Sequence, residues 1–204
     1  MKSLFINTSN KQLIVSIIID DSIKYIHSEE NSNQLSSAIM PIIDEAFVKT
    51  GLKPNDIDTI FVTNGPGSFT GIRIGLTIAK VMAWSLKIKV IPISTLELMA
   101  SGEKGLVAPL IDARRGYVFA GLYDEDLNQI IPDGHILLSE FEKKLSEYNA
   151  FFVSHDTFEF DTSVPKYDIV KIIKKHANDE GVNPHTLNPN YLKLTEAEEN
   201  LNKK

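Results

Sequence analysis

Cysteine is absent from the 204-residue chain. Its absence excludes disulfide bonds, thiolate catalysis and cysteine-ligated zinc, and it fits a reducing compartment. The five histidines show none of the spacings of known zinc motifs, such as H-E-x-x-H. A metal site of histidines and carboxylates that come together only in the folded chain stays open as an alternative.

Positive charge is also scarce. The 27 acidic residues outnumber the 21 lysines and arginines, and the formal net charge is −6. A protein that binds tRNA tightly by itself needs clustered lysine and arginine side chains to neutralise the phosphates. We therefore expect this chain to meet tRNA only indirectly, through a partner.

Long uninterrupted apolar runs are missing as well. The strongest apolar stretch, residues 72–93, contains basic residues that include Arg73, Lys80 and Lys87, so it cannot span a bilayer. The first nine residues hold too short an apolar run for a signal peptide. These features predict a cytoplasmic protein that has no membrane partner.

The order of apolar and alternating runs predicts an α/β fold that is built twice. The first half has predicted strands at residues 4–6, 13–19, 23–27, 57–63 and 88–93, and predicted helices at 34–49, interrupted by Pro41, at 71–86 and from Ser94 to about Gly102. The second half has predicted strands at 106–111, 117–123 and 151–154, a helix at 139–148, and a weak pattern after residue 156. We predict an N-terminal lobe of residues 1–103 and a degenerate C-terminal lobe of residues 104–204 with a tail rich in proline and asparagine.

A glycine-rich turn joins the predicted strand 57–63 to the next helix. Backbone N–H groups at such a turn are free to bind anions, but the spacing matches neither a Walker loop nor the dinucleotide-binding glycine pattern. A turn with a purely structural role is the alternative. The candidate residues of this signature turn are Gly65, Pro66, Gly67, Ser68, Phe69, Thr70 and Gly71.

The helix after the turn carries a small residue at every fourth position. A stripe of this kind lets another backbone approach closely, and a helix that is apolar on several faces is buried on more than one side. We predict a subunit interface formed by Gly71, Ile74, Gly75, Ile78, Ala79, Met82 and Ala83, beside a narrow polar seam of Arg73, Thr77 and Lys80. Internal packing against the helix at 34–49 is the alternative.

Three segments resemble one known family. The run G-P-G-S-F-T-G-x-R-x-G-x-x-x-A-K, which extends from Gly65 to Lys80, is a specific signature of TsaB proteins. Residues 110–119 look like the I-D-A-R-x-G-x-V hairpin of the same family, and residues 187–193 look like its P-x-Y-L-[RK] ending. The resemblance covers both lobes and is weakest between residues 124 and 183.

The resemblance implies a two-lobed actin-like ATPase fold, related to ribonuclease H, in which each lobe follows the order βββαβα(βα) and the second lobe is shortened. It also implies a homodimer, or a heterodimer with the catalytic paralogue TsaD, formed through the first two helices, and recruitment of the ATPase TsaE. The family acts in forming N6-threonylcarbamoyladenosine in tRNA, next to the anticodon. The expected role is a scaffold or activating subunit.

An active ATPase of this fold needs an acidic residue and close-approach glycines at two phosphate hairpins. This chain has Asn7 at the first hairpin, and Ala113 and Arg114 follow Asp112 at the second. No Gly-Gly pair is present for the adenosine. We therefore expect no catalytic residue, no metal and no cofactor of its own, with ATP or ADP bound only in a complex with partners. An active small-molecule kinase or a metallopeptidase of the same fold superfamily is the alternative.

Overall fold

The computed structural model describes residues 1–31 and 34–193. The strands and helices of the first lobe are β1 (Lys2–Asn7), β2 (Gln12–Ile19), β3 (Ser22–Glu30), α1 (Leu35–Thr50), β4 (Thr59–Gly65), α2 (Phe69–Leu86), β5 (Lys89–Ser94) and α3 (Thr95–Ala100). Those that follow are β6 (Leu106–Asp112), β7 (Tyr117–Tyr123), β8 (Gln129–Leu137), α4 (Leu138–Leu145), β9 (Ala150–Ser154) and α5 (Ile169–His176). Within this part of the chain, no helix is both long enough and apolar enough to cross a membrane.

The first sheet has the strand order β3-β2-β1-β4-β5. The pairs β1–β2 and β2–β3 are antiparallel, whereas β4 runs parallel to β1 and to β5. Strand β2 is apolar on both faces because both faces are covered. Leu13 and Ile17 pack into the core beneath α1 and α2, and Ile14 and Ile18 pack with α3 and α5 on the opposite face. The sequence of β2 predicts this double burial.

The second sheet repeats the beginning of the first, in the order β8-β7-β6-β9. The order β-β-β-α-β is therefore present in both lobes, which confirms the predicted two-lobed fold with a shortened second half. Strand β8 and helix α5 are not predicted by the sequence pattern. Strand β8 contains Pro132, Asp133 and Gly134, and its register with β7 shifts twice, so it lacks regular alternation. Helix α5 has only eight residues.

Helix α1 is continuous through Pro41, where the sequence predicts an interruption. Proline removes one backbone N–H from the helical ladder. Pro41 is exposed, so solvent can reach the carbonyl that loses its partner. The helix ends at Gly51, which adopts a left-handed conformation with φ 69°, as glycine commonly does at this position.

The chain returns to the first lobe after α5. We call residues 182–193 the C-terminal strap. Val182 pairs with Val90 beside β5, Leu187 is buried in the first-lobe core, and the N–H of Asn190 donates to the carbonyl of Asn64 at 2.7 Å. The predicted C-terminal lobe, residues 104–204, is thus corrected at its end, because the strap packs on the first lobe. Residues 194–204 lie outside the described part of the chain, and the boundary at 103 stays a prediction.

Candidate functional site at the glycine turn and the cleft between the lobes

The glycine turn is fixed to the hairpin between β1 and β2. The N–H of Ser68 donates to the carbonyl of Ser9 at 2.7 Å, and the hydroxyl of Thr8 donates to the carbonyl of Gly71 at 2.7 Å. Gly67 has φ 147°, and a Cβ atom there would lie 2.0 Å from the Ser9 carbonyl oxygen. Only glycine fits this close approach. The turn therefore acts as a tight joint between β4, α2 and the first hairpin.

Asn7 stands at the position of the first phosphate hairpin and is fully buried. Its Oδ1 accepts hydrogen bonds from the hydroxyls of Ser9 at 2.8 Å and Thr63 at 2.9 Å. Its Nδ2 donates to the carbonyl of Gln12 at 2.6 Å and to Asn10 Oδ1 at 3.0 Å. Both donors and both acceptor sites of the amide are thus in use. Asn7 holds the hairpin together and has no capacity left for a ligand.

The second hairpin, between β6 and β7, is exposed. Oδ1 of Asp112 accepts a hydrogen bond from the N–H of Arg114 at 2.8 Å, and the N–H of Asp112 donates to Asp156 Oδ2 at 2.9 Å. Arg114, Arg115 and Gly116 are all left-handed, with φ 71°, 56° and 77°. Asp112 thus shapes its own turn, and the residues after it lie outside the conformations that side-chain-bearing residues prefer.

A cleft of about 600 Å³ separates the two hairpins. Residues of both lobes line it: Ser9, Asn10, Lys11, Asn31, Leu35, Ser36, Gly67, Ser68, Thr70, Gly71, Ile74, Met99, Leu110, Ile111, Asp112, Phe119, His155 and Asp156. Lys11 of the first lobe reaches across to the second. Its ammonium group lies 3.0 Å from Asp156 Oδ1 and donates to the carbonyl of His155 at 2.6 Å. Lys11 therefore joins the first hairpin to the segment that follows β9.

His155 is the titratable ring in this cleft. Its Nε2 is hydrogen-bonded to the hydroxyl of Tyr167, to which Asn10 Nδ2 also donates at 3.1 Å. Burial, together with the nearby charge of Lys11, lowers the pKa of His155, which favours the neutral ring. Across residues 1–31 and 34–193, histidines and carboxylates form no group of three or more that could hold a metal ion.

The stripe of small residues on α2 faces the interior of its own lobe. Gly71, Gly75, Ala79 and Ala83 are all buried within the chain. A Cβ atom at Gly75 would lie 2.3 Å from Thr8 Oγ1. The interface prediction is corrected for these four residues, because they already pack inside the monomer. Gly71 and Gly75 meet Thr8 at the end of β1, whereas Ala79 and Ala83 belong to the core cluster that also holds Ala46 and Phe47 of α1.

The opposite face of α2 is exposed. Val81 is 59% exposed and Trp84 is 63% exposed. Two members of the polar seam, Arg73 and Thr77, share this face, whereas Lys80 is half-buried. The other predicted interface residues, Ile74, Ile78 and Met82, are half-buried against the core, and for them the interface stays a prediction. We call Arg73, Thr77, Val81 and Trp84 the outward face of α2.

The strap flanks the outward face of α2. Arg73 Nε donates to the hydroxyl of Tyr191 at 2.8 Å, and its guanidinium carbon lies 4.0 Å from the centre of the Phe69 ring. Tyr191 stacks on Phe69 with ring centroids 5.3 Å apart. Phe69 and Arg73 of the glycine signature thereby contact Tyr191, which belongs to the segment 187–193 that resembles the ending of the same family. The sequence contains both motifs but gives no signal that they touch.

Two polar clusters between the lobes have no signal in the sequence. Asp133 accepts from Ser94 and from Tyr123, both at 2.5 Å, and burial raises the pKa of Asp133. Glu97 lies 2.7 Å from the Lys175 ammonium and 3.0 Å from His176 Nε2. Burial opposes ionisation of Glu97, but these two hydrogen bonds together hold its pKa below the usual value. Both clusters fasten the first lobe to the elements that follow it.

Comparison with known proteins agrees with this geometry. A model of the TsaD family, described as tRNA N6-adenosine threonylcarbamoyltransferase, matches residues 15–169. The tRNA threonylcarbamoyladenosine biosynthesis protein TsaB of Bacillus subtilis (strain 168) is 32% identical, with 97% of this chain and 96% of the relative covered. TsaB of Escherichia coli (strain K12) is 33% identical over 64% of this chain and 58% of its own length.

Solved structures show the same fold. YeaZ from Pseudomonas aeruginosa superposes with a TM-score of 0.78 at 21% identity, covering 94% of this chain and 99% of that one. A second structure, an uncharacterized protein with similarity to peptidase YEAZ from the same organism, gives a TM-score of 0.80 at 20% identity with the same coverage. The matches to known families, together with the two-lobed fold, place the chain in the actin-like ATPase superfamily. Within that superfamily, the chain belongs to the TsaB family.

Proposed function

We propose that this chain is a non-catalytic scaffold and activating subunit in the formation of N6-threonylcarbamoyladenosine in tRNA, next to the anticodon. The observation that carries the proposal is the full-length similarity to a relative named for the biosynthesis of this nucleoside. The match to the transferase family model over residues 15–169 supports a paralogue that pairs with that transferase. The protein is expected to act in the cytoplasm.

The non-catalytic role is supported by the two hairpins. Asn7 cannot ligand Mg²⁺ as a carboxylate would, and its amide is already saturated by Ser9, Thr63, Gln12 and Asn10. Lys11 lies across the cleft on Asp156. In a phosphoryl-transfer enzyme, the space between the hairpins has to admit a metal and phosphates. We therefore propose that the chain has no cofactor of its own and that ATP or ADP binds only in a complex with partners.

The partners are docked, in this proposal, on the outward face of α2. Val81 and Trp84 are large apolar side chains that stay 59% and 63% exposed, and aromatic residues with arginine are common at the centre of interfaces. The same face forms the homodimer or the heterodimer with the TsaD paralogue, and the pair recruits the TsaE ATPase. Because the net charge is −6, tRNA reaches this chain chiefly through those partners.

Reconstitution from purified components tests the proposal. The chain is mixed with the TsaD and TsaE proteins of its own organism, an enzyme that supplies threonylcarbamoyl-adenylate, and unmodified tRNA. We expect threonylcarbamoyladenosine to form only when the chain is present, and the chain to co-elute with TsaD. Equal product in its absence, with all other components unchanged, would contradict the role.

Restoring a carboxylate at the first hairpin tests the non-catalytic part. Asn7→Asp should not create ATP turnover, and it should lower the free energy of unfolding by about 1–3 kcal/mol, because an unpaired buried oxygen then faces the carbonyl of Gln12. Asn178→Asp, at an exposed position, is the matched control and should change stability by less than about 0.5 kcal/mol. Saturable ATP hydrolysis by either the wild-type chain or Asn7→Asp would refute this part of the proposal.

A further inference from the structure

The chain has three arginines. Arg73 lies in the glycine signature, and Arg114 and Arg115 lie in the hairpin segment 110–119. Two of them, Arg114 and Arg115, are adjacent, exposed and at the tip of the β6–β7 hairpin. In the part of the chain that the structure describes, neither guanidinium has a carboxylate partner, although the chain has 27 acidic residues. These two neighbouring arginines therefore form a small positive patch on an acidic protein, and among the described residues they form no ion pair that would stabilise the fold.

The backbone holds both arginines in an unfavourable conformation. Their φ angles of 71° and 56° are in the left-handed region, where glycine, asparagine and aspartate are the usual residues. The nearby acidic groups are occupied elsewhere. Asp112 accepts from the backbone N–H of Arg114, and Asp156 contacts Lys11. Side chains kept in a strained turn, at a position where simpler residues would fit, point to a role for the side chains themselves.

Aromatic rings lie next to the arginines. Tyr117, which ends the turn, is 37% exposed and stacks on His135 with centroids 4.7 Å apart. His135 also contacts Phe119 at 5.3 Å, and Phe119 lines the cleft. Arginine forks match phosphate oxygens, and arginine beside exposed aromatic rings is typical of surfaces that bind RNA. An acidic protein partner would need the charge but would not need the rings.

We propose that Arg114 and Arg115, with Tyr117 beside them, form a contact site for the phosphate backbone of RNA on the second lobe. The choice of RNA rather than another polyanion rests on the proposed function. The site is weak by itself, because two arginines neutralise few phosphates and the chain as a whole is acidic. In the assembled complex it adds phosphate contacts to a tRNA that the partners hold.

The first test needs only the isolated chain. Binding of an unmodified tRNA transcript is measured at low ionic strength for the wild type, for Arg114→Gln/Arg115→Gln, and for Lys143→Gln/Lys144→Gln. The control pair is adjacent and exposed on α4 and removes the same charge. We expect the arginine variant to bind about tenfold more weakly and its salt slope to fall by about 1–2, as for the loss of two phosphate contacts. Equal weakening by the two double variants would overturn the site.

A glycine variant separates the contact from stability. Arg114→Gly/Arg115→Gly removes the side chains but suits the left-handed turn, so its Tm should equal or exceed that of the wild type while RNA binding falls as in the glutamine variant. Retained RNA binding by the folded glycine variant would refute the proposal.

In the complex with TsaD, the arginine variants should assemble normally and bind tRNA more weakly. Loss of assembly with unchanged RNA binding by the isolated chain would instead assign the arginines to a protein partner and overturn the proposal. Failure of the wild type to assemble would count against the proposed function alone.

Discussion

The two faces of helix α2 differ in what they contact. The inward face presents Gly71 and Gly75 to the first hairpin, so close that a methyl group at Gly75 would collide with Thr8. The outward face presents Val81 and Trp84 to solvent. Small residues are therefore found where the chain itself must approach the helix, and large residues where the chain leaves the helix mostly exposed. A regular stripe of small residues reports close packing, but it does not report whether the neighbour is the same chain or another one.

The outward face is the less expected of the two. Val81 and Trp84 lie one turn apart on the same face and both stay mostly exposed, and neighbouring exposed apolar side chains are common where a protein binds a partner. The strap borders this face, since Tyr191 stacks on Phe69 and His185 meets Trp84 edge-on with centroids 6.3 Å apart. The strap thus fixes one border of the face.

The largest effect is expected from filling the inward face. Gly75→Leu would place side-chain atoms where Thr8 already lies and would disturb the Thr8–Gly71 hydrogen bond. We expect the free energy of unfolding to fall by about 3 kcal/mol or more, at or above the usual range for overpacking. Urea unfolding followed by circular dichroism measures the change. Thr77→Leu, two residues away on the outward face, is the control and should change stability little. Equal stability of the two variants would contradict the assignment of the faces.

The strap should give the next largest effect. Leu187 is 2% exposed and packs in the first-lobe core, so Leu187→Ala is expected to cost about 2–4 kcal/mol, as buried leucine truncations do. Val182→Ala is the comparison, because the Val182 side chain is exposed and its contact with Val90 runs through the backbone. It should cost less than about 1 kcal/mol. Similar unfolding curves for the two variants would show that the strap is not part of the core.

The smallest effect is expected in the pH dependence of stability. It depends on His176 of α5, which belongs to neither face of α2. The hydrogen bond with Glu97, followed by that with Asp179, raises the pKa of His176 above its ordinary value of 6.5. The charged ring is favoured in the folded state, so this contribution is fully present below pH 6.5 and is lost as the pH rises through the folded-state pKa. The Tm of the wild type should fall from pH 6 to pH 8.5 by more than that of His176→Asn. If the Tm of the two proteins depended on pH in the same way, His176 would not contribute to the pH dependence of stability.

The sequence predicted the fold where the pattern of apolar residues within one segment is enough to show which of its faces are buried. Strand β2 is apolar on both faces and is covered on both faces. The sequence predicts a glycine turn between the strand at 57–63 and the following helix, and the structure has the turn there, although α2 begins at Phe69, two residues before the predicted start, and is capped by Ser68. Asn7 was recognised as a replacement for a carboxylate. These features depend on residue type at fixed local spacing.

The features that the sequence did not predict depend on contacts between distant segments. Leu187 is buried only because the strap crosses back over α2. Asp133 sits in a Pro-Asp-Gly tripeptide typical of a turn, yet it lies in β8 and accepts from Ser94 in the first lobe. The four-residue spacing of small residues on α2 would be the same whether the helix packs inside its own chain or against a second chain. Tertiary contacts decided each of these cases, and no local pattern encoded them.

The most direct test of the central claim is sedimentation equilibrium of a variant with a charged outward face. Val81→Glu/Trp84→Glu places like charges opposite each other twice in a two-fold dimer. The control, Val164→Glu/Tyr148→Glu, alters two exposed apolar residues of the second half of the chain. The account predicts a dimer for the wild type and the control, and a monomer for Val81→Glu/Trp84→Glu that keeps the circular dichroism spectrum of the folded wild type. A dimer of undiminished affinity in that variant would contradict the account.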